Sequence, residues 1–404
     1  MRYYLLALAI SAVVSFAFSL VVWRVGLRFR LYPTIRERDV HVRPTPRLGG
    51  VAMWAGVVVA LLSAWCVFPL ISGVDYFRLV FADAGPPLAI LGAATIIVVI
   101  GVVDDLYDLD WMTKLAGQII AAGVLAWQGV QLVSLPIGSS LAIGSPFMSL
   151  IGTILIVVVV MNAVNFIDGL DGLVAGVVII GNGVFFLYTY VLTRVIGEAE
   201  YFNLSALISV ILVGACLGFL PLNWHPAKMF MGDAGALLSG LLMAASAISV
   251  TGQISVPAVV AERTLLLPAF IPVVLPLAIL ILPLLDFSLA VLRRLRAGKS
   301  PFAADRLHIH HRLLDLGHSH FHAVLLFYAW TTVVSVGCLL FLFVPWQFAL
   351  TLVGLGIAAC TAVTIAPVIA NHRRRIAAER AAASLEPAVG PTSPAPPNHV
   401  QEHP

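Results

Sequence analysis

The feature that most limits what this chain can become is a recurring apolar stretch, each copy near the ~20 residues that an α-helix needs to cross a bilayer. Eleven can be marked, at 4–23, 49–70, 86–103, 114–129, 148–164, 172–193, 203–220, 234–250, 265–292, 323–344 and 347–370. Only 11% of the 404 residues are charged and 60% are apolar, against about 25% and 45–50% in a soluble domain. Those proportions exclude a soluble enzyme, a peripherally anchored protein and a disordered one. The first stretch has no small-residue cleavage site and runs directly into Trp23 and Arg24, so it reads as a membrane helix rather than a signal peptide. The fourth holds Gln118 among Gly and Ala residues, which suits a helix packed inside a bundle. Cys66, Cys216, Cys338 and Cys360 all fall inside apolar stretches; their spacing is too wide for a zinc motif, and they read as packing residues. The expected fold is all-α, a polytopic membrane bundle of about 11 transmembrane helices.

Charge asymmetry orients the bundle. Nineteen of the 23 Lys and Arg residues lie in 24–48, 104–114, 221–233, 293–322 and the segment from 371. The alternate connectors hold only Arg2, Arg78, Arg194 and Arg263. By the positive-inside rule the first set is cytoplasmic, which puts the N-terminus outside and the C-terminus inside. Residues 1–370 then form the membrane domain with cytoplasmic loops. Residues 371–404, Ala-rich and then Pro-rich, read as a disordered cytoplasmic tail. The outward stretch 130–145 alternates apolar and small residues and predicts a short hairpin.

The polar residues that stand out fall on the cytoplasmic side. Asp104, Asp105, Asp108 and Asp110 follow the third stretch. Asn162, Asn165, Asp168 and Asp171 join the fifth to the sixth. Asn223, His225, Lys228 and Asp233 join the seventh to the eighth, and His308, His310 and His311 precede the tenth. The adjacent pair Asp104-Asp105 repels itself unless a cation or proton relieves it. Mg²⁺ prefers oxygen ligands and shares them with substrate phosphates. Asn162, Asn165, Asp168 and Asp171 recur every three residues, a spacing that brings them to one face of a helical turn; a glycine-rich helix cap is the plainer reading, but a cap needs only one such residue. Lys114 and Lys228 suit phosphate, and Asp233 in GDAG suits a metal. Arg306, with the histidines of HIHH, suits phosphate contacts, and a zinc site there would lack a nearby cysteine. In PTPRLGG the prolines hold Arg47 near the membrane surface. His318, His320 and His322 read as interfacial residues.

Taken in order, His41 with PTPRLGG, DDLYD at 104–108, NAVNFIDGLDGL at 162–173, PAKMFMGDAG at 226–235 and HIHH at 308–311 resemble the polyprenyl-phosphate N-acetylhexosamine-1-phosphate transferase superfamily, its WecA-like branch in particular. In the MraY group, which transfers phospho-MurNAc-pentapeptide, the fifth residue of the first motif is usually Lys, where Asp108 stands here, and the late motif reads as consecutive histidines. The chain departs from the common pattern before His41, where Tyr32 precedes Pro33.

The resemblance implies an enzyme of the plasma membrane with its active site facing the cytoplasm. It would transfer a sugar-1-phosphate from UDP-GlcNAc or a related UDP-HexNAc to a polyprenyl phosphate (undecaprenyl or decaprenyl), releasing UMP, with Mg²⁺ or Mn²⁺ as cofactor. Lipid is a partner, nucleic acid is not, and a homodimer is compatible. The catalytic set is then Asp104, Asp105, Asp168 and Asp233. The metal falls to Asp233 with Asn165 and Asp168. Substrate contacts fall to Lys114, Asp171, Lys228, Arg306, His308, His310, His311 and Arg47. An MraY-type transferase and, from another class, an ion-coupled transporter are the competing readings. A transporter places its ionisable residues near the bilayer midplane, whereas only Asp286 lies inside a predicted span here.

Overall fold

A computed structural model describes residues 1–32, 45–72, 80–81, 83–132, 134–137, 140–143, 145–196, 200–251, 275, 277–298 and 309–385. The architecture is an all-α bundle. Its helices are α1 (Arg2–Arg28), α2 (Gly49–Leu62, continued through a wider turn at Ser63–Val67 and on through Phe68–Ser72), α3 (Gly85–Tyr107) and α4 (Trp111–Trp127). They continue with α5 (Pro146–Phe166), α6 (Leu173–Ile196), α7 (Glu200–Asn223) and α8 (Gly232–Thr251). The last are α9 (Ile281–Arg296), α10 (Ile309–Asp315), α11 (His320–Leu340) and α12 (Trp346–Leu385). Between α4 and α5, β1 (Ser134–Ile137) pairs antiparallel with β2 (Ser140–Ile143), Ser134 opposite Ile143. This is the hairpin that the alternation predicts.

Among the described residues, nine helices are long and apolar enough to span a bilayer, against the eleven stretches expected. The fourth stretch is helical, but α4 has 17 residues and reaches only about 25 Å, short of the ~30 Å hydrocarbon core. Residues 265–274 of the ninth stretch lie outside the described residues, and the helix that follows, α9, carries Arg293, Arg294 and Arg296 in its last turn. The other difference is at the C-terminus. α12 continues unbroken past residue 371 to Leu385, because the Ala-, Arg- and Glu-rich sequence there has high helix propensity; the first part of the expected disordered tail is therefore helix.

α7 and α8 are almost wholly enclosed, while α12 lies open along nearly all its apolar length. Small residues set the tightest contacts. α1 turns Ser11 and Ser15 to α7, where their hydroxyls donate to the carbonyls of Ile211 (2.8 Å) and Ala215 (2.7 Å). These bonds satisfy hydroxyls that lipid could not, and they let the two backbones meet.

Three helix ends shape the polar face of the bundle. α3 stops because Asp108 takes a left-handed conformation (φ 57°) and its N–H returns to the Asp104 carbonyl. α4 starts because Asp110 caps it, accepting from the N–H groups of Met112 and Thr113. α8 starts at Gly232 (φ 68°). Its preceding residue, Met231, has no side-chain oxygen to serve as a cap.

Candidate active site

The ends of α3, α4, α5 and α8 meet at one point. Asp233, in the first turn of α8, accepts a hydrogen bond at Oδ1 from the Asn165 amide on α5 (3.0 Å). Its other oxygen pairs with the Lys114 ammonium on α4. Lys114 also bonds Asp104 Oδ2 on α3 at 3.2 Å, and Asp104 Oδ1 accepts the Leu109 N–H at 3.0 Å. Asp105, one residue on, accepts the N–H of Asp233 at Oδ1 (3.1 Å) and that of Ala234 at Oδ2 (3.4 Å). Asp168 sits half-buried beside this group. Burial pushes its carboxyl up to about 7; the charge of Asp105 adds to the rise, Arg47 opposes it, and Asp171 adds again.

The segment holding Arg47 is tied to the same place through the backbone. Phe230 N–H donates to the Pro46 carbonyl (2.9 Å), Gly49 N–H to the Phe230 carbonyl (3.0 Å), and Gly50 N–H to the Met231 carbonyl (3.0 Å). PTPRLGG is thus more than a stiff basic loop: it clasps the FMG that leads into Asp233. Glycine is required where the chains touch. A Cβ on Gly50 would stand 2.2 Å from the Gly235 nitrogen, and one on Gly101 would stand 2.3 Å from the Ala234 Cα.

The row of four polar residues that runs from the end of α5 into the following loop does not form the single face that its spacing predicts. The helix ends at Phe166, and tight turns follow, with Asp168 N–H to the Asn165 carbonyl and Gly169 N–H to the Ile167 carbonyl. Asn165 and Asp168 reach the site. Asn162 instead exchanges amide contacts with Gln118 on α4. The Asp171 side chain is wholly enclosed, with Oδ2 accepting from His225 Nδ1 (2.7 Å) and from the Ala227 N–H (3.1 Å). The Asp171 N–H donates to His320 Nε2 at 3.0 Å, and the two imidazoles stack with centroids 4.3 Å apart. Asp171, expected to meet substrate, here orders the loop.

The other expected residues scatter. Lys228 is exposed, its ammonium 5.8 Å from the Trp23 ring. Asp108 and Asp110 bound helices. Arg306, His308 and His41 lie outside the described residues; His310 and His311 lie on α10, and only their backbone is described. Of the three histidines read as interfacial, His318 contacts the Thr364 carbonyl through Nε2 (3.1 Å) and His322 lies in the Ser319 cap of α11. His320 instead joins the Asp171 network, and no local signal marks it, since its partner lies 149 residues away.

The side chains at Asp233 offer oxygen, its own carboxylate and the Asn165 carbonyl oxygen left over when the amide donates, and the Asp168 carboxylate lies close enough to feel the charge of Asp105. One or two carboxylates with room for waters and phosphates is how Mg²⁺ is usually held, so the residues fit a hard divalent cation. Asp171, His225 and His320 also bring three ligand atoms close together. There, however, the His320 Nε2 lone pair is filled by an N–H, and the stacked rings cannot both aim at one ion. That cluster is a hydrogen-bond network.

Residues 87–251, which carry Asp104, Asp105, Lys114, Asn165, Asp168, Asp171 and Asp233, match the family described as glycosyl transferase family 4. Over 348 residues the chain is 42% identical to the decaprenyl-phosphate N-acetylglucosaminephosphotransferase of Mycolicibacterium smegmatis, covering 85% of this chain and 83% of that one. This chain belongs to glycosyl transferase family 4. A probable undecaprenyl-phosphate N-acetylglucosaminyl 1-phosphate transferase of Bacillus subtilis is 31% identical across 82% of this chain and 85% of its own. A phospho-N-acetylmuramoyl-pentapeptide-transferase of Mycobacterium bovis is 32% identical, but over 64% of this chain. The relatives named for N-acetylglucosamine phosphate transfer thus cover more of this chain than the pentapeptide transferase does, which favours a WecA-like member, and the transporter reading falls away.

Proposed function

We propose that this multi-pass membrane enzyme transfers GlcNAc-1-phosphate from UDP-GlcNAc to a polyprenyl phosphate, decaprenyl or undecaprenyl, and releases UMP. The observation that carries the reading is the node where Lys114, Asn165 and Asp233 meet from three helices. Relatives named for this transfer over most of the chain support it. The positive-inside asymmetry supports a cytoplasmic site at the plasma membrane.

Two anionic phosphates must approach each other, and that repulsion is the main obstacle. Asp233, with Asn165 and Asp168, would hold Mg²⁺ or Mn²⁺, which would supply positive charge to neutralise the donor diphosphate. Lys114 supplies a positive charge at the same point, and Arg47, clasped beside α8, adds a second. An oxygen of the acceptor phosphate attacks the β-phosphorus in line. The new O–P bond forms as the bond to the bridging oxygen breaks, and UMP leaves with the electron pair. The acceptor's second ionisation lies near ~6, so at neutral pH its attacking oxygen is already charged and a strong base is unnecessary.

The test is purified protein with labelled UDP-GlcNAc, decaprenyl phosphate and Mg²⁺. UMP release that depends on the lipid is expected; release without lipid, or none, overturns the reading.

A further inference from the structure

Asp105 accepts two backbone N–H groups from the start of another helix, surroundings that suit a cap. The first N–H groups of a helix have no partner within it. They are usually met by the helix's own cap residue, which for α8 would be Met231. Instead the carboxylate of Asp105, 128 residues earlier, takes the Asp233 N–H on one oxygen and the Ala234 N–H on the other. A negative charge is also favoured there by the positive end of the helix dipole. The packing around this contact is tight. A Cβ on Gly232 would stand 2.1 Å from the Arg47 carbonyl oxygen and 2.4 Å from Asp105 Oδ2, and α3 lies against α8 with Gly101 on the Ala234 backbone. Protonating Asp105 would weaken both bonds at once and loosen the turn that carries Asp233.

We propose that Asp105 is a positioning residue: its carboxylate caps α8 from a neighbouring helix and so fixes the direction of the Asp233 side chain toward Lys114 and Asn165. Asp104 does the corresponding service for Lys114, with its own second oxygen tied to the Leu109 N–H. The Asp-Asp pair is then a two-part scaffold, one carboxylate for each partner in the Lys114–Asp233 contact. This inference rests on the proposed transfer for its kinetic arm only.

The experiment uses full-length protein in detergent or nanodiscs, with Asp105→Asn, Asp233→Asn and the double variant. Mn²⁺ affinity is expected to fall about 10–100-fold in Asp105→Asn, as when a residue supporting a metal ligand is lost. The double variant should bind Mn²⁺ no more weakly than Asp233→Asn alone. Turnover of Asp105→Asn should be reduced by one constant factor from pH 6 to 9. Unchanged Mn²⁺ affinity with turnover climbing back toward wild type at high pH makes Asp105 the base and overturns the proposal, as does an additive loss in the double variant. Hydrogen exchange on the wild type needs no variant. The Asp233 and Ala234 amides should exchange as slowly as those inside α8, and fast exchange there also refutes the cap. If wild-type protein shows no lipid-dependent UMP release, the transfer reading fails while the Mn²⁺ and exchange arms still decide the role of Asp105.

Discussion

Gly101→Ala tests the site's construction with one methyl group. The added Cβ would stand 2.3 Å from the Ala234 Cα, 2.4 Å from the Ala234 nitrogen and 2.9 Å from the Asp233 carbonyl carbon. All three are backbone atoms, so no rotamer change relieves the clash. Ordinary van der Waals contact begins at 3.4 Å, so α3 and α8 must part by about 1 Å. Overpacking of this kind costs about 1–3 kcal/mol. The larger effect should be on activity, because the displaced atoms carry Asp233 and the N–H groups of Asp233 and Ala234 that donate to Asp105. A 1 Å misplacement of a reacting arrangement costs on the order of 100-fold in rate. Gly92 is the control: it lies on the same helix, and a Cβ added there would meet nothing within 4 Å. Gly92→Ala should be neutral or stabilising by about 0.5–1 kcal/mol, from helix propensity. Lipid-dependent UMP release and melting in detergent are measured on both. Near wild-type turnover in Gly101→Ala would refute the claim that backbone contact between α3 and α8 sets the site.

Three further outcomes are expected. Lys114→Met removes the cation that competes for Asp233, so Mn²⁺ should bind more tightly while turnover falls about 100-fold or more through lost transition-state stabilisation; weaker Mn²⁺ binding contradicts this. Asp168 has a folded value of about 7 against an ordinary 3.8, so the folded state holds the extra proton: stability is fullest below 3.8, declines as pH rises toward 7 and is level above it. In chelator, Asp168→Asn should therefore gain a melting advantage between pH 4 and 7, worth at most about 4 kcal/mol, and keep it at pH 8; an equal advantage at pH 4 and pH 8 counts against the burial effect. Tyr328→Phe deletes the hydroxyl that donates to the Gly172 carbonyl at 2.6 Å and should lower stability by about 1 kcal/mol, read as a shift in detergent melting; an unchanged melting point contradicts it.

What could be read in advance depended on whether the cause was local. Apolar length alone marks the helices, because lipid imposes one requirement on every span. Lys114, Asn165 and Asp233 could be singled out because polar residues at membrane ends are few and gather on one side. The duties of Asp104 and Asp105 could not be read, since adjacent carboxylates look alike whether they hold a metal, take a proton or cap a helix 128 residues away. The three-residue spacing from Asn162 to Asp171 misled because it assumed helix where glycine and tight turns break the chain after Phe166. The hydrogen bonds of Asp171 to His225 and His320 could not be read either, because both histidines lie on distant elements.

The link from α11 back to the α5–α6 loop also sets a timetable for biogenesis. The loop's Asp171 N–H and Gly172 carbonyl find their partners in His320 and Tyr328, 149 and 156 residues later in the chain. A ribosome that has threaded α1 to α8 into the membrane has already delivered Lys114, Asn165 and Asp233, and the His225 that holds the Asp171 side chain, but not the two α11 partners of the loop backbone. The loop beside the candidate site is tied down in full only once α11 has arrived.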